Sequence, residues 1–407
     1  MNTINQIPGG VCAPQGFKAS GMHCGITKKV EKKDIGLIFS TVPCVSAAVY
    51  TKNKVKAAPL KVTREHLENG TAQAILCNSG NANACNADGY DVASKMCQIA
   101  SAFLGIPESE IVVASTGVIG QPLNIHPVDA CMKSLVGYLS ENGSGEAADA
   151  IMTTDLMKKE IAVSFTLGGK ECKIGAIAKG SGMIHPNMGT MLSFITTDAD
   201  ITAPMLSKAL KMVVEDTFNM VSVDGDTSTN DMAVVLANGL AGNAKIEAQE
   251  DDFDTFVIAL MYVCIYLARM MAKDGEGATK LLECSVKGAK TEESARILAK
   301  SVITSSLFKT AMFGADANWG RVLCALGYAE TDFDPAKAEV SFASKAGEIL
   351  VCRDGCGVAF SESRAKEILL HDEIEVHVDL HQGPGEAVAW GCDLTYDYVK
   401  INGDYRS

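Results

Sequence analysis

The feature that most constrains this chain is a junction. Residues 179–199, KGSGMIHPNMGTMLSFITTDA, pass from a segment carrying Gly180, Gly182, Pro186 and Gly189 straight into the apolar MLSFITTDA. Glycine and proline at that density are loop chemistry. The apolar run after them reads as a strand, and Thr190 stands at the boundary. If the Gly189–Thr190 bond were cut, Thr190 would carry a free α-amine beside its own hydroxyl. An α-amino group titrates at about 7.7–8.0, so it can take the hydroxyl proton near neutral pH without a histidine. Glycine at 189 tolerates the backbone geometry that attack on its carbonyl requires. The loop would present a scissile bond, and the strand would hold a nucleophile rigid.

The rest of the chain alternates strands and helices. Residues 34–50 and 73–77 read as strands leading into turn-rich loops, and EIVVASTGVIG (110–120) as a buried strand ending in a Thr-Gly turn. Helical spacing covers 90–104 and 127–140. After the strand that follows Thr190, a helix is expected from about Ala203 to Glu215. The loop VSVDGDTSTND and a long helix over 251–273 come next. Residues 336–379 alternate like paired strands, with a short helix near 362–370. The class is α/β, and 407 residues suffice for two or three domains.

The formal net charge is −13 and no basic block occurs, which argues against nucleic acid and against an anionic membrane surface. Small molecules and other copies of the chain are the expected partners. The longest apolar run, Thr255 to Ala268, falls short of the ~20 residues that a bilayer needs and reads as a buried helix. The N-terminal MNTINQIPGGVCAPQGF lacks the basic and apolar regions of a signal peptide. Fourteen cysteines are scattered, and Cys97, Cys264, Cys324 and Cys392 sit beside small or apolar neighbours. That is the habit of reduced cysteines used as small hydrophobes, and a cytoplasmic location is expected.

Several motifs have plain structural readings. DGDTSTND (224–231) lacks the glutamate that closes an EF-hand and reads as a turn-rich loop of Asx and Ser/Thr caps. CRDGC (352–356) has no second Cys/His pair at zinc spacing and reads as a hairpin turn. His185 reads as a loop residue, and KGSGM (179–183) lacks the Walker spacing of a phosphate cradle. No metal and no cofactor are expected. CNSGNANACNADG (77–89) reads as a close-packed turn whose Asn side chains satisfy loop backbone, with a substrate-lining role left open. ASTGVIG (114–120) offers the Thr116 hydroxyl and the Gly117 amide, a pair suited to an oxyanion.

With these residues assembled, the chain resembles the ornithine acetyltransferase family (bifunctional glutamate N-acetyltransferase/ornithine acetyltransferase) essentially end to end. The resemblance rests on CNSGNANAC (77–85), ASTGVIG (114–120), MTTD (152–155), KGSGMIHPNMGTML (179–192) and VDGDTSTND (223–231). It continues through KDGEGATKLLE (273–283), NWGR (318–321) and the terminal INGDYRS (401–407). It implies an ArgJ/DmpA-like αββα sandwich with a smaller α/β domain. It implies self-cleavage before Thr190 into an α chain, 1–189, and a β chain, 190–407, assembled as an α2β2 heterotetramer. It implies Thr190 as nucleophile, Thr116 and Gly117 as oxyanion hole, and Thr153, Lys179, Thr190, Glu276, Asn402 and Ser407 as substrate contacts. The reaction implied moves an acetyl group from N-acetylornithine to glutamate through an acetyl-Thr intermediate, with acetyl-CoA as the alternative donor. The rival reading is a self-processing N-terminal-threonine amidohydrolase or aminopeptidase of the DmpA type. Many relatives have Ala at Gly189 and at His185, Thr at Leu156 and Thr at Ser407. On residue pattern alone, Lys179 reads as a solvated loop lysine and Glu276 as the cap of a helix beginning near it.

Overall fold

The computed structural model describes residues 3–185 and 191–403. The chain divides into two compact units. The first comprises Met1–Gly180, Pro186–Glu215 and Thr227–Leu267; the second comprises Ser181–His185, Asp216–Asp226 and Ala268–Ser407.

A nine-stranded sheet forms the first unit. Its strands are β1 (Asn5–Ile7), β2 (Phe17–Met22), β3 (Ile35–Tyr50), β4 (Thr71–Asn78), β5 (Ile111–Ser115), β6 (Lys159–Leu167), β7 (Lys170–Lys179) and β8 (Leu192–Thr197). After the two-residue β9 (Val221–Ser222), which belongs to the other sheet, comes β10 (Met232–Ala237). The order is β1-β6-β7-β8-β10-β3-β4-β5, with β2 also on β3. The helices are α1 (Ala58–His66), α2 (Gly89–Leu104), α3 (His126–Gly137), α4 (Ser144–Ile151), α5 (Ala203–Asp216) and α6 (Asp251–Lys273). Strand alternation separates two cores. Ile75, Cys77, Val112 and Ala114 join Phe194 and Val234 in one, while Ala74, Leu76, Ile111 and Val113 meet Met96, Val128 and Met132 of α2 and α3 in the other. β8 and β10 are parallel and buried along their whole length, as a strand covered on both faces must be.

The register fixes where the loop–strand junction re-enters. Lys179 pairs with Leu192, Leu192 with Met232, and Met232 with Tyr50. The end of β7, the starts of β8 and β10 and the end of β3 therefore lie side by side.

The 255–268 run lies within α6, which is longer than the run. At 23 residues, with mean hydropathy 1.9 over its most apolar 18, α6 could cross a membrane by length and composition alone. Its Phe253, Phe256, Leu260, Val263, Cys264 and Leu267 are fully buried at three- and four-residue spacing, while Ile258 and Tyr262 are exposed. That is the stripe of an amphipathic core helix.

The second unit holds a seven-stranded sheet of β9, β11 (Leu281–Ala289), β12 (Glu339–Ser344), β13 (Gly347–Arg353), β14 (Cys356–Gly357), β15 (Glu373–Asp379) and β16 (Gly385–Cys392). Its order is β14-β13-β12-β15-β11-β16-β9. The helices are α7 (Glu292–Thr304), α8 (Ser306–Phe313), α9 (Trp319–Gly327), α10 (Glu362–Leu369) and α11 (Tyr396–Gly403), and α7 packs on β11 and β16. CRDGC forms the β13–β14 hairpin: Asp354 and Gly355 have φ +48° and +68°, and Arg353 pairs with Cys356. Two left-handed residues at a two-residue turn match the twist of the strands. All fourteen cysteines are free thiols. Cys97, Cys264 and Cys392 are buried as expected, but Cys324 is exposed. Val322, Ala325 and Leu326 take the buried side of α9, and the helical period turns Cys324 outward.

Candidate active site

The first cluster is in the first unit. Lys179 closes β7 and is buried, not solvated as its loop-like sequence suggests. Its ammonium donates to Thr153 Oγ1 at 2.8 Å and to Thr116 Oγ1 at 3.3 Å. The Thr116 oxygen thus accepts from Lys179 and keeps its own hydrogen to donate elsewhere. Thr116 follows β5 directly, and its amide bonds to Asn78 O at 3.0 Å. Next to it, Gly117 has φ +129°, and a Cβ there would lie 2.4 Å from the Gly80 carbonyl carbon. Only glycine fits this turn. The Gly117 amide has no acceptor among the described residues. Two neighbouring donors, one hydroxyl and one amide, are therefore available to an oxyanion.

The asparagines of CNSGNANAC hold that turn. Asn78 Nδ2 donates to Asn81 O, Asn81 Nδ2 to Gln121 O, and Asn83 Nδ2 to Gly89 O, at 2.9, 3.0 and 2.8 Å. Asn230 reaches in from the segment before β10 and donates to Ala82 O at 2.6 Å and Ser115 O at 2.7 Å.

Beneath Lys179 lies a carboxylate that the motif reading passed over. Asp155 accepts from Thr153 N at 3.0 Å, Gly180 N at 2.7 Å and Lys159 Nζ at 2.7 Å. Burial by itself would push its carboxyl up, but the charges of Lys179 and Lys159 and these hydrogen bonds hold it well below the usual carboxylate range. Asp155 thereby fixes both Thr153 and the backbone just after Lys179. A second missed group is Asp231, read as part of a turn-rich loop. It is buried immediately before β10, and its Oδ2 has no hydrogen-bond partner among the described residues. Burial pushes its carboxyl well above the usual range, against the hydroxyls of Ser228 and Thr51 and the charge of Lys179. The signal available in sequence was an Asp abutting the wholly apolar MAVVLA.

The second cluster is in the second unit. Glu276 is buried, its amide donating to Ser181 O at 2.9 Å and its Oε2 accepting from Asn402 Nδ2 at 2.7 Å. A Cβ on Gly182 would sit 2.3 Å from the Glu276 carboxyl, so a side chain there would displace that carboxylate. Glu276 does not cap a helix start: it follows the end of α6, and the next element is β11. Asp224 of the Asp-rich loop accepts from Met183 N at 2.6 Å, Ile184 N at 2.9 Å and Tyr398 Oη at 3.2 Å, a backbone-satisfying role. His185 meets Ser222 Oγ at 3.1 Å, and burial, helped by the charge of Lys300, pushes its imidazole down to about 4. Leu156 is exposed. Gly189, Thr190 and Ser407 lie outside the described residues. The structure thus brings Thr116, Gly117, Thr153 and Lys179 together in one unit, and Glu276 and Asn402 together in the other.

The ArgJ family profile matches residues 18–407. The chain belongs to the ArgJ family. The arginine biosynthesis bifunctional protein ArgJ 1 of Clostridium acetobutylicum is 52% identical over 392 residues, 96% of each chain. The arginine biosynthesis bifunctional protein ArgJ of Symbiobacterium thermophilum is 51% identical, over 98% of this chain and 99% of its own. A crystal structure of the arginine biosynthesis bifunctional protein ArgJ from Bacillus halodurans, 46% identical, matches with a TM-score of 0.51. That match covers 53% of this chain and 99% of the solved one.

Proposed function

We propose that this ArgJ-family chain is an acetyltransferase that cuts itself before Thr190. It then moves an acetyl group from N-acetylornithine to glutamate. The observation that carries the reading is the Lys179–Thr116–Gly117 arrangement, in which a buried ammonium polarises one hydroxyl beside an amide that has no acceptor among the described residues. Hydroxyl and amide donors in a dry setting are what a tetrahedral oxyanion needs.

In this mechanism the Thr190 amine takes the proton of its own hydroxyl as Oγ attacks the acetyl carbonyl. Thr116 and Gly117 hold the oxyanion. The C–N bond breaks, the proton passes to the leaving nitrogen, and ornithine departs, leaving the acetyl-Thr190 ester. The glutamate amine attacks that ester, and Thr190 is released as N-acetylglutamate forms. Thr153 and Lys179 are assigned to the substrate's α-carboxylate region, Glu276 to the ornithine ammonium, and Asn402 and Ser407 to the same substrate. Cleavage would leave chains of 189 and 218 residues (407 less 189), the larger being about 54% of the whole. A solved relative's chain that covers 53% of this one, at 99% of its own length, is in keeping with that division. The α2β2 assembly and acetyl-CoA as alternative donor rest on the family resemblance. The unpaired thiols suit a reducing cytoplasm.

One assay tests the reading. Purified protein is weighed intact, then given N-acetylornithine with and without glutamate, and ornithine and N-acetylglutamate are both measured. Two chains and equimolar, glutamate-dependent products are expected. Activity in the uncut chain, or ornithine release indifferent to glutamate, overturns it.

A further inference from the structure

A second lysine meets the Lys179 cluster from the loop between β2 and β3. Lys32 Nζ donates to the carbonyl oxygen of Thr153 at 2.8 Å, and Lys179 Nζ donates to Oγ1 of the same residue at 2.8 Å. One threonine thus holds two ammonium groups, one on each of its oxygens. The loop that delivers Lys32 is pinned along its length. The buried Asp34 carboxylate accepts from Cys24 N at 2.6 Å, Gly25 N at 3.2 Å and Thr27 N at 2.9 Å. The Lys32 carbonyl meets His23 Nδ1 at 2.9 Å, and its amide donates to Lys29 O at 3.0 Å. Thr153 is fixed in turn through its amide, on Asp155.

The charges at this point do not balance. Lys32 is half-buried, and burial, then the charge of Lys179, push its ammonium below the usual lysine range, against the charges of Asp155 and Asp34. Asp155 is ion-paired with Lys159, whereas neither Lys32 nor Lys179 makes an ion pair among the described residues. Two ammonium groups so placed repel each other, and an anion reaching both relieves the repulsion. Lys32 Nζ spends one of its three hydrogens on Thr153, which leaves donors for such an anion. The chemistry of the two amino acids says which anion it is. Ornithine and glutamate share an α-carboxylate, but only glutamate carries a second one. Four bonds of about 1.5 Å separate its two carboxyl carbons, the same number that separates the two Thr153 oxygens. A side-chain ammonium, as in ornithine, would be repelled from Lys32.

We propose that Lys32 is a specificity-determining residue for the acceptor: it takes the side-chain carboxylate of glutamate while Lys179 takes the α-carboxylate. The assignment rests on the acetyl-transfer reading and adds to it. The side-chain ends of opposite sign are then served by different groups, the ornithine ammonium by Glu276 and the glutamate carboxylate by Lys32. The same lysine disfavours the return of ornithine to the acetylated enzyme.

The test uses the processed enzyme as wild type, Lys32→Met and Lys32→Arg, with intact mass confirming that each variant has matured. KM is measured separately for glutamate and for N-acetylornithine, and glutamine, which has the shape of glutamate without the side-chain charge, is titrated as a competitor of glutamate. In Lys32→Met, KM for glutamate should rise at least about tenfold, the scale of a lost hydrogen bond to a charged group. KM for N-acetylornithine should not rise, and inhibition by glutamine should move less than about twofold, since neither carries the second carboxylate. Lys32→Arg keeps the charge and should recover most of the glutamate affinity. An unmoved KM for glutamate overturns the proposal. So does a parallel rise in KM for N-acetylornithine, or weakening of glutamine by as much as glutamate, either of which would mean that Lys32 only shapes Thr153. A wild-type enzyme that releases ornithine without passing the acetyl group to glutamate overturns the acetyl-transfer reading, and this assignment with it.

Discussion

Replacing Thr116 by valine removes one hydroxyl and keeps the side-chain shape. Thr116 is only 9% exposed, so water cannot take over the donor. Lys179 would lose its 3.3 Å bond and retain the shorter one, 2.8 Å, to Thr153. The structural cost is then about that of one hydrogen bond, on the order of 1 kcal/mol, small against a typical stability of about 5–15 kcal/mol. The catalytic cost is larger, because a buried oxyanion donor contributes about 3–4 kcal/mol, or roughly 10²–10³ in rate. Self-cleavage passes through its own tetrahedral oxyanion, so it should slow as well. Intact-mass time courses give the cleavage rate, and kcat is normalised to the fraction already cleaved, which separates slow processing from slow transfer. The urea midpoint reports the fold. A cleaved Thr116→Val enzyme with kcat within about twofold of wild type would refute the oxyanion assignment.

Asp155→Asn should destabilise the first unit by about 3–5 kcal/mol at neutral pH, since it breaks the buried 2.7 Å ion pair with Lys159. The Asp155 carboxyl is held below its unfolded value, so its contribution is present above about pH 4 and lost as pH falls towards the folded value. The gap between wild type and variant in chemical denaturation should therefore narrow below about pH 4; a gap constant with pH would contradict the pairing. Asn402→Ala removes the 2.7 Å bond to Glu276 and should raise KM for N-acetylornithine several-fold with self-cleavage unaffected. An unmoved KM would take Asn402 out of substrate binding.

Local pattern alone located about half of the strands and helices. The strand at 34–50 is β3, the helix at 90–104 is α2, the helix from Ala203 is α5, the paired strands over 336–379 are β12, β13 and β15, and the short helix near 362–370 is α10. Period and turn chemistry are properties of neighbouring residues, so a single chain suffices to read them. Thr116-Gly117 was legible for the same reason, as a hydroxyl and a glycine at a strand end. Lys179 and Glu276 were not. Their local surroundings look like solvated loop, and only strand register and the approach of Gly182 put them in dry, hydrogen-bonded places. Asp155 was passed over and Asp231 looked like part of a capped turn, because a carboxylate's partners decide its role, and theirs include Gly180 and Thr51, 25 and 180 positions away. Lys32 is a further case: it stands in the plain charged run KKVEKK, and its partner Thr153 is 121 positions away. Burial and charge convergence depend on pairings between distant segments, and those exist only once the sheet has formed.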